Sequence, residues 1–369
     1  MKILMVADAR SVHTRRWAFS LKEEGLEVVL YSLYPSPDSF FEKNGITLYV
    51  FDLFGYKKEK GLKSALSRIF MHRKAVKALE SLISKEKPDI LHAHYATSFG
   101  LVAALSGFHP FIMSVWGSDV YEFPCQSALN RKSVELVFRR ADRILSTSNV
   151  MAAQTRRFTD KPVEITPFGV DTTLFCPQPQ SRTSFGEFIV GNVKTLAPKY
   201  GIDVLIKAFK IVHDRNSDVA TSLVIVGDGP NRREYEELVR QCGLTDCVSF
   251  MGRVDNNRLP SLYNSFSVDV SLSDAESFGV VAVEAMSCGC PVVVSDADGF
   301  TEVVEDGVTG IIVPKGDPEA AASAIQRFVD DPSLRERMGQ AGRRRVGQMY
   351  DWHDCVMKMI HIYRDVTRS

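Results

Sequence analysis

Residues 268–295 read VDVSLSDAESFGVVAVEAMSCGCPVVVS, and this stretch decides the fold class. Its β-branched, apolar ends, Val268 to Leu272 and Pro291 to Ser295, are predicted strands. Between them the apolar residues take helical spacing from about Phe278 onward. A strand, a helix and a second strand in this order form a parallel pair, because parallel strands need a long crossover connection. The stretch therefore predicts a parallel sheet that is covered by helices.

The same alternation continues along the whole chain in two series. The first series predicts strands at residues 2–7, 27–33, 46–51, 89–94, 111–116, 143–148 and 163–167, and the second at 188–193, 221–226, 248–251, 268–272, 291–295 and 310–313. We expect two Rossmann-like, doubly wound α/β domains that face each other across a cleft. Ligands should bind in the loops that follow the strands.

The predicted domain boundaries follow from composition and periodicity. Residues 175–184 are rich in proline and polar residues and lack periodicity, so they are the predicted linker between domains at residues 1–174 and 185–349. Residues 350–369 keep helical spacing, but no strand follows them. We expect this last helix to cross back to the first domain.

Composition excludes several classes of protein. With 369 residues, 45% of them apolar, the chain can bury two sizeable cores. The net charge of zero argues against a general nucleic-acid binder, which needs a broad basic surface. Residues 1–170 nevertheless carry 24 Lys and Arg against 17 Asp and Glu, and residues 171–369 carry 21 against 28. This asymmetry predicts different partners for the two halves.

Cysteine usage and the N-terminal residues predict the cellular compartment. Seven cysteines without metal-ligand spacing indicate reduced thiols. The apolar run from Ile3 to Ala7 stops at Asp8, and it is too short for a signal peptide or a membrane span. We therefore expect a cytoplasmic protein.

Two glutamates separated by seven residues flank the predicted helix start in the deciding stretch. Gly279 allows close backbone approach, and the free N–H groups at a helix start attract an anion such as a diphosphate. We expect Glu284 to accept hydrogen bonds from a ribose diol and Glu276 to reach the hydroxyls of a sugar. The residues predicted to contact the same ligand between the glutamates are Ser277, Phe278, Gly279 and Val280. In the alternative interpretation Glu276 caps the helix and Glu284 is an exposed helical residue.

These residues, together with CGCPVVVS at 288–295 and DGVTGIIVP at 306–314, resemble the GT4-type glycosyltransferases. That family has the GT-B fold and a motif of two glutamates separated by seven residues. The resemblance spans nearly the whole chain and is most specific from residue 165 to residue 315. It implies a nucleotide-sugar donor bound by the C-terminal domain and an acceptor on the N-terminal side. It also implies transfer with retention of the anomeric configuration, without a protein nucleophile, a metal or a cofactor.

Two lysines follow the first strand of the second domain. Lys194 and Lys199 are predicted to bind the diphosphate and to stabilise its charge as it leaves. Similar enzymes usually carry arginine at the first position, so Lys194 supplies a point charge in place of a bidentate group. Gly191, just before them, is a predicted donor contact. The alternative is that both lysines are solvated loop residues.

Two further strands of the second domain run into glycine-containing loops, VGDGP at 226–230 and FMGRV at 250–254. Gly227 is expected to let the nucleotide come close. By resemblance to the family, the backbone around Arg253 and Val254 is expected to contact the base. A glycine after a strand is also common in plain turns.

The loop after the first strand departs from the pattern of similar enzymes. It lacks their Gly-Gly pair and instead carries His13, Arg15 and Arg16. We consider these residues candidates for binding an anionic acceptor or the diphosphate. In the alternative interpretation Thr14 caps the helix and the arginines lie on a solvated helix face.

A second departure follows the fifth strand, where Trp116 stands in the position of a histidine that many relatives have near the sugar. We therefore look for another polar group at this edge of the sheet. The candidates are His94, which ends the fourth strand, and Asp119, which could orient the acceptor or the donor sugar. A lone histidine is also commonly a structural residue.

Residues 56–79 combine basic and apolar residues in a helical pattern. Such a segment can lie on anionic lipid, so we expect peripheral contact with the inner face of the cell membrane. The alternative is an ordinary helix that buries its apolar face and solvates its charges.

Together these patterns and the family resemblance predict a glycosyltransferase that moves a sugar from a nucleotide sugar, a UDP-sugar ahead of a GDP-sugar. Transfer with retention is what the resemblance implies. The acceptor would be a glycan, a lipid-linked saccharide or a small molecule, in cell-surface polysaccharide or glycolipid biosynthesis. One alternative is a catalytically silent nucleotide-sugar-binding protein, and another is a non-hydrolysing nucleotide-sugar epimerase of the same fold. A nicotinamide-dependent enzyme is disfavoured, because no GxGxxG motif follows the first strand.

Overall fold

The computed structural model describes residues 1–53, 65–178 and 186–368, except for the side chains of residues 65–69. The chain forms two compact units, Met1–Pro167 with Val356–Ser369 and Phe168–Cys355. Residues 179–184 of the predicted linker and residues 56–64 of the predicted basic segment lie outside the described residues.

The first unit is built on a parallel sheet whose described strands lie in the order β3-β2-β1-β4-β5-β6-β7. The strands are β1 (Lys2–Val6), β2 (Glu27–Ser32), β3 (Thr47–Val50), β4 (Ile90–His94), β5 (Phe111–Val115), β6 (Arg143–Ser146) and β7 (Val163–Ile165). The helices are α1 (Val12–Glu23), α2 (Phe40–Lys43), α3 (Ala65–Glu86), α4 (Ser98–Leu105), α5 (Ser118–Tyr121), α6 (Ala128–Arg140) and α7 (Asn149–Thr155). Helices connect most successive strands, as parallel pairing requires.

The second unit has a parallel sheet of described strands in the order β10-β9-β8-β11-β12-β13. The strands are β8 (Glu187–Val193), β9 (Ala220–Val226), β10 (Val248–Gly252), β11 (Val268–Ser271), β12 (Val292–Ser295) and β13 (Gly310–Val313). The helices are α8 (Ile202–Arg215), α9 (Arg232–Gln241), α10 (Leu259–Ser265), α11 (Val280–Ser287), α12 (Asp298–Val303), α13 (Pro318–Asp330) and α14 (Pro332–Met349). A last helix, α15 (Trp352–Arg368), begins in this unit, and its residues from Val356 onward belong to the first unit.

The central strands of both sheets explain why the sequence folds this way. Strands β4 and β5 are buried at every position, and so are β11 and β12. Burial at every position is typical of parallel strands with helices on both faces. Both predicted doubly wound sheets are confirmed, and every predicted strand overlaps a strand of the structure.

Candidate functional site

The strand order of the second unit reverses between β8 and β11. In doubly wound sheets, ligands bind at the carboxyl ends of the strands beside such a switch point. The loops that leave this point are residues 194–201, after β8, and residues 272–279, after β11. They contain both predicted lysines and the first predicted glutamate.

Main-chain contacts hold these two loops together. Asp274 N–H donates a hydrogen bond to the Lys199 carbonyl at 2.9 Å. Gly201 has a left-handed φ of 65°, and a Cβ there would lie 2.0 Å from the Leu272 carbonyl oxygen. Glycine meets both demands because it has no Cβ. Gly201 therefore lets the basic loop pack directly against the acidic loop.

The predicted side chains of the two loops form a largely buried ion pair. Lys194 Nζ lies 2.6 Å from Glu276 Oε2, and the side chains are only 10% and 15% exposed. The Lys194 ammonium also lies over the rings of Tyr200 and Phe300, 5.2 and 5.6 Å from their centroids, which favours the cation. The group predicted to bind the diphosphate and the group predicted to bind the sugar are therefore each other's partners in this structure.

The Glu276 carboxylate is stabilised in its charged form. Burial acts to raise the pKa of Glu276, but Lys194 and the backbone N–H groups of Ser277 and Phe278 outweigh burial, so the pKa is lowered. The Ser277 N–H donates to Oε1 at 3.2 Å. These amides lie just before α11. The Glu276 carboxylate therefore binds both Lys194 and the backbone that leads into the helix.

Helix α11 begins at Val280, and Gly279 is its N-cap with a φ of 99°. A Cβ on Gly279 would lie 2.8 Å from a ring carbon of Phe300. Phe278 is fully buried, and its ring packs against Tyr350 with the centroids 5.5 Å apart. Any contact of Phe278 with a ligand would therefore be made by its backbone. The helix begins two residues after the predicted start near Phe278, and its contact with an anion stays a prediction.

Glu284 lies in the second turn of α11 and is only 8% exposed. Tyr263, in α10, donates its hydroxyl to Glu284 Oε2 at 3.0 Å and is itself fully buried. The alternative interpretation of Glu284 as an exposed helical residue is therefore wrong. Its contact with a ribose stays a prediction.

The glycines after β9 have a structural reason of their own. A Cβ on Gly227 would lie 1.9 Å from the Lys194 carbonyl oxygen, and one on Gly229 would lie 2.3 Å from that of Leu196. The Gly227 N–H donates to the Gly252 carbonyl at 2.8 Å. The loops after β8, β9 and β10 thus pack against one another at the carboxyl edge. The approach of a nucleotide to Gly227 stays a prediction.

Three other predicted donor contacts have different surroundings. Gly191 lies inside β8, and a Cβ there would lie 2.0 Å from the ring of Phe266, so the missing side chain makes room for that ring. Arg253 is exposed and Val254 partly exposed in the loop after β10. The roles of Arg253 and Val254 stay predictions, whereas the structure gives Gly191 a packing role.

The sequence analysis missed Asp269, a fully buried acid in β11. Ser271 Oγ donates to Oδ2 at 3.3 Å, and Oδ1 has no hydrogen-bond partner among the described residues. Burial, opposed by Lys194 and Ser271 and helped by Glu284, raises the pKa of Asp269 to about 8. A lone acid inside an apolar strand was the available signal.

We expect Asp269→Asn to remove a pH dependence of stability. Because the pKa of Asp269 is raised in the folded state, from 3.8 to about 8, the wild-type protein should lose stability as the pH rises from about 4 to about 8. In this window the free energy of unfolding of the variant should rise relative to that of the wild type by roughly 1.4 kcal/mol per pH unit. Urea unfolding of both proteins at pH 5, 6.5 and 8 measures this, and parallel profiles would show that Asp269 does not titrate in this range.

In the first unit the strand order reverses between β1 and β4, and aromatic rings gather at the carboxyl edge there. The His94 ring lies 4.6 Å from that of Trp116, and the Trp116 ring lies 5.8 Å from that of His13. Trp116 therefore links two predicted residues, His13 of α1 and His94 at the end of β4. Burial, with Arg16 adding to it, lowers the pKa of His13 to about 4.

His92 packs against this cluster through His94. The sequence analysis missed it. Its ring lies 4.4 Å from that of His94 and is fully buried. Its Nδ1 is 2.6 Å from Tyr363 Oη and its Nε2 is 2.8 Å from Ser114 Oγ. Burial lowers the pKa values of both histidines well below the usual range, so the cluster is uncharged at neutral pH. Within the described residues, His94 Nδ1 has no hydrogen-bond partner.

Two family models match the chain: Glycosyl transferase 4-like at residues 2–148 and Glycosyl transferases group 1 at residues 178–345. A D-inositol 3-phosphate glycosyltransferase of Nocardiopsis dassonvillei is 30% identical over 311 residues, which cover 76% of this chain and 71% of that protein. The chain belongs to the group 1 glycosyltransferases. An N-acetyl-alpha-D-glucosaminyl L-malate synthase of Bacillus anthracis is 26% identical, over 79% of this chain and 78% of that protein.

Solved structures match the fold of this glycosyltransferase along its length. Sucrose-phosphate synthase of Thermosynechococcus elongatus has a TM-score of 0.80 and 23% identity, with 99% of this chain and 98% of that chain covered. The Anabaena protein HepE in complex with UDP has a TM-score of 0.81 and 20% identity, with 99% and 100% covered. The predicted GT-B class, with two Rossmann-like parallel-sheet domains, is confirmed.

Asp119 of the glycosyltransferase binds backbone and is fully buried. Its carboxylate accepts hydrogen bonds from the N–H groups of Ala96 and Gly117, each at 2.8 Å, and from that of Trp116 at 3.2 Å. Burial raises the pKa of Asp119, although these amides lower it. The carboxylate thus joins the loops after β4 and β5. A direct contact with a sugar, as predicted from the sequence, stays untested, and the geometry favours a structural role.

Arg15 has several partners inside the first unit. It donates to the Ala9 carbonyl at 3.2 Å and to Asp38 at 2.8 Å. The helix start itself is capped by Ser11, whose hydroxyl accepts from Thr14 N–H at 3.4 Å. The alternative in which Thr14 caps the helix is therefore wrong, because Ser11 is the N-cap. The predicted binding of an anion by His13, Arg15 and Arg16 stays a prediction.

The described part of the basic segment buries most of its apolar residues in the protein, but Phe70 is 52% exposed. Met71, Val76 and Leu79 of α3 belong to the core of the first unit, whereas Arg73 and Lys77 are exposed. The buried apolar residues of this part are not available to lipid, whereas Phe70 is accessible, so contact with a membrane surface stays a prediction. Across the described residues, no helix has both the length and the apolar character needed to cross a bilayer.

A cavity of about 660 Å³ lies in the second unit away from the switch point. Phe188, Ser267 and Pro291 line it, and they stand at or just before the amino ends of β8, β11 and β12. Ligands of doubly wound sheets bind at the opposite edge. The loops at the carboxyl edge therefore remain the candidate site.

Proposed function

We propose that this glycosyltransferase takes a sugar from a nucleotide sugar and transfers it with retention of configuration, without a metal. One observation carries this proposal. The basic loop after β8 and the acidic loop after β11 meet at the switch point of the second sheet, with Lys194 Nζ 2.6 Å from Glu276 Oε2. Cations and amides converging on one point fit a diphosphate, and the adjacent carboxylate fits sugar hydroxyls.

A UDP-sugar is the donor we propose, ahead of a GDP-sugar. Among structures of similar fold, HepE was solved with UDP and with UDP-glucose. In this chain, Glu284 of α11 would accept hydrogen bonds from the ribose, and the loop around Arg253 and Val254 would contact the base. Gly279 and Val280 would present their N–H groups to the diphosphate.

The acceptor we propose is a glycan, a lipid-linked saccharide or a small molecule, used by a cytoplasmic enzyme in cell-surface polysaccharide or glycolipid biosynthesis. Relatives named for D-inositol 3-phosphate and for L-malate support small polar acceptors. His13 and His94, whose rings both contact that of Trp116, are the residues of the first unit that we propose for binding the acceptor substrate. Any peripheral membrane contact of the basic segment would involve residues other than its buried apolar ones.

In the proposed reaction the bond from the anomeric carbon to the diphosphate oxygen breaks, and the acceptor oxygen bonds to that carbon on the same face. The acceptor proton passes to an oxygen of the departing diphosphate. Lys194 and Lys199 stabilise the charge that develops on this leaving group, and Glu276 orients the sugar.

The Lys194–Glu276 ion pair has to open in this mechanism. Lys194 must exchange the carboxylate for the diphosphate, and the carboxylate is then free to accept hydrogen bonds from the sugar. Before the donor binds, the pair keeps two largely buried charges neutralised, since an unpaired buried charge is costly. Glu276 thus competes with the diphosphate for Lys194.

We expect Glu276→Gln to bind UDP more tightly than the wild type and yet to lose transfer. The substitution removes the charge that competes for Lys194, so UDP affinity should rise about five- to tenfold, whereas transfer should fall at least about 100-fold. Titration calorimetry with UDP and release of UDP from the donor measure the two effects. Asp214→Asn, which breaks the exposed pair with Lys210, is the matched control and should change neither. Weaker or unchanged UDP binding by Glu276→Gln would rule out the competition.

The proposed function is tested by a panel of UDP-, GDP- and ADP-sugars. Thermal shifts should identify the donor, and NMR of the glycoside formed with an acceptor should show the anomeric configuration of the donor. Conversion of the donor without an acceptor would indicate the epimerase, and binding without any turnover would indicate the silent binding protein. Neither alternative gains support from the relatives named above.

A further inference from the structure

We infer that Tyr263 is a positioning residue that holds Glu284 for the ribose of the donor, an inference that rests on the proposed function. Tyr263 Oη donates to Glu284 Oε2 at 3.0 Å. A carboxylate that accepts a hydrogen bond from inside the protein has restricted side-chain torsions, so its orientation is more nearly fixed before a ligand binds. Tyr263 acts through Glu284 and has no solvent-exposed surface of its own.

The ring of Tyr263 is fixed by its neighbours. It lies between Phe175 and Phe266, with ring centroids 6.2 and 6.0 Å away. Phe266 in turn fills the space left by the missing side chain of Gly191, where a Cβ would come within 2.0 Å of the ring. Packing therefore connects Gly191 to Glu284 through Phe266 and Tyr263, and this gives Gly191 an indirect part in the predicted donor site.

The helix that carries Glu284 is fixed as well. Arg343 of α14 donates to the Ser287 carbonyl at 2.9 Å, at the last residue of α11. Gly342 of the same helix packs closely on Met286, where a Cβ would lie 3.0 Å from the methionine side chain. With the backbone of α11 held, the remaining freedom of Glu284 is in its side-chain torsions. The hydrogen bond from Tyr263 restricts those torsions.

Three groups near Glu284 have raised pKa values. Burial raises the pKa values of Tyr263, Asp269 and Cys288, and the charge of Glu284 raises each of them too. At neutral pH these three neighbours are protonated and uncharged. A charged carboxylate is the stronger acceptor for ribose hydroxyls, since hydrogen bonds to charged groups exceed neutral ones.

The test combines Tyr263→Phe with removal of the ribose hydroxyls. UDP, 2′-deoxy-UDP and 3′-deoxy-UDP are titrated into the full-length wild type and variant by calorimetry. Removing a hydroxyl bound by Glu284 should weaken binding to the wild type about tenfold. Tyr263→Phe should weaken UDP about fivefold and should cause little further loss with the deoxy analogue, because both changes remove the same interaction. In the transfer assay the variant should raise the donor KM with little change in kcat.

Tyr235→Phe is the matched control, because Tyr235 is a buried tyrosine of α9 in the same unit. It should leave all three affinities unchanged. If Tyr263→Phe lowered the affinity for UDP and for its deoxy analogues by the same factor, Tyr263 would have a purely structural role and the inference would be overturned. Equal binding of UDP and both analogues by the wild type would instead contradict the proposed ribose contact of Glu284.

Discussion

Lys199→Ala is expected to lower kcat/KM of sugar transfer by about 1000-fold while leaving the protein folded. Lys199 is exposed in the loop that also carries Lys194, and its carbonyl accepts from Asp274 across the two loops. In the described part of the chain its ammonium forms no ion pair, in contrast to Lys194. We therefore expect the ammonium to bind the diphosphate without first breaking an ion pair. Removing one group that stabilises developing charge typically costs about 100- to 1000-fold in rate.

The measurement is release of the nucleoside diphosphate from the donor that the wild type uses, with thermal unfolding as the check on folding. Lys207→Ala is the matched control, since Lys207 is an exposed lysine of the following helix, 3.2 Å from Asp203. It should keep wild-type activity. A Lys199→Ala enzyme as active as this control would remove Lys199 from the mechanism.

Glu284→Gln is expected to weaken donor binding and lower kcat/KM by about 100-fold. The amide keeps the size of the side chain and still offers an oxygen to Tyr263, but it removes the charge that favours two ribose hydrogen bonds. Glu284→Ala should abolish transfer. It should also lower stability by about 1–3 kcal/mol, because it leaves the buried Tyr263 hydroxyl without this acceptor.

The two Glu284 variants separate binding from stability. Kinetics over a range of donor concentrations and urea unfolding should show the loss of activity in both variants, but a large loss of stability only in Glu284→Ala. Partly exposed Glu236 of α9, paired with Arg232, offers the control Glu236→Gln, which should change neither the activity nor the stability. Wild-type kinetics in Glu284→Gln would contradict a ribose contact through the charged carboxylate.

The sequence predicted the fold because its signals are local. Apolar runs such as Val292–Ser295 and the helix from Val280 follow from neighbouring residues alone. The switch point then places the loops after β8 and β11 side by side without further assumptions. The positions of Lys194, Glu276 and Glu284 in one region were therefore predictable.

What the sequence could not show are contacts made across long separations. The ion pair of Lys194 with Glu276 joins residues 82 positions apart, and the hydrogen bond of His92 with Tyr363 joins residues 271 apart. Periodicity gives no register for such pairs. The surroundings of Asp119 were not predictable either, because its buried carboxylate binds backbone amides that no motif reveals.

The glycines also show the limit of motif reading. Gly227 and Gly191 were assigned to the donor, yet their missing side chains make room for the Lys194 carbonyl and for the Phe266 ring. A glycine in a motif marks a close approach, and only the structure shows what approaches. Tyr263 carried no motif at all, although it holds the second glutamate.

The most direct test of the central claim is a crystal structure of the full chain with UDP bound. The account predicts the diphosphate against the N–H groups of Gly279 and Val280, within hydrogen-bond distance of Lys194 and Lys199, with the ribose on Glu284 and with Lys194 released from Glu276. A nucleotide bound elsewhere, or a Lys194–Glu276 pair that stays closed beside it, would contradict the account.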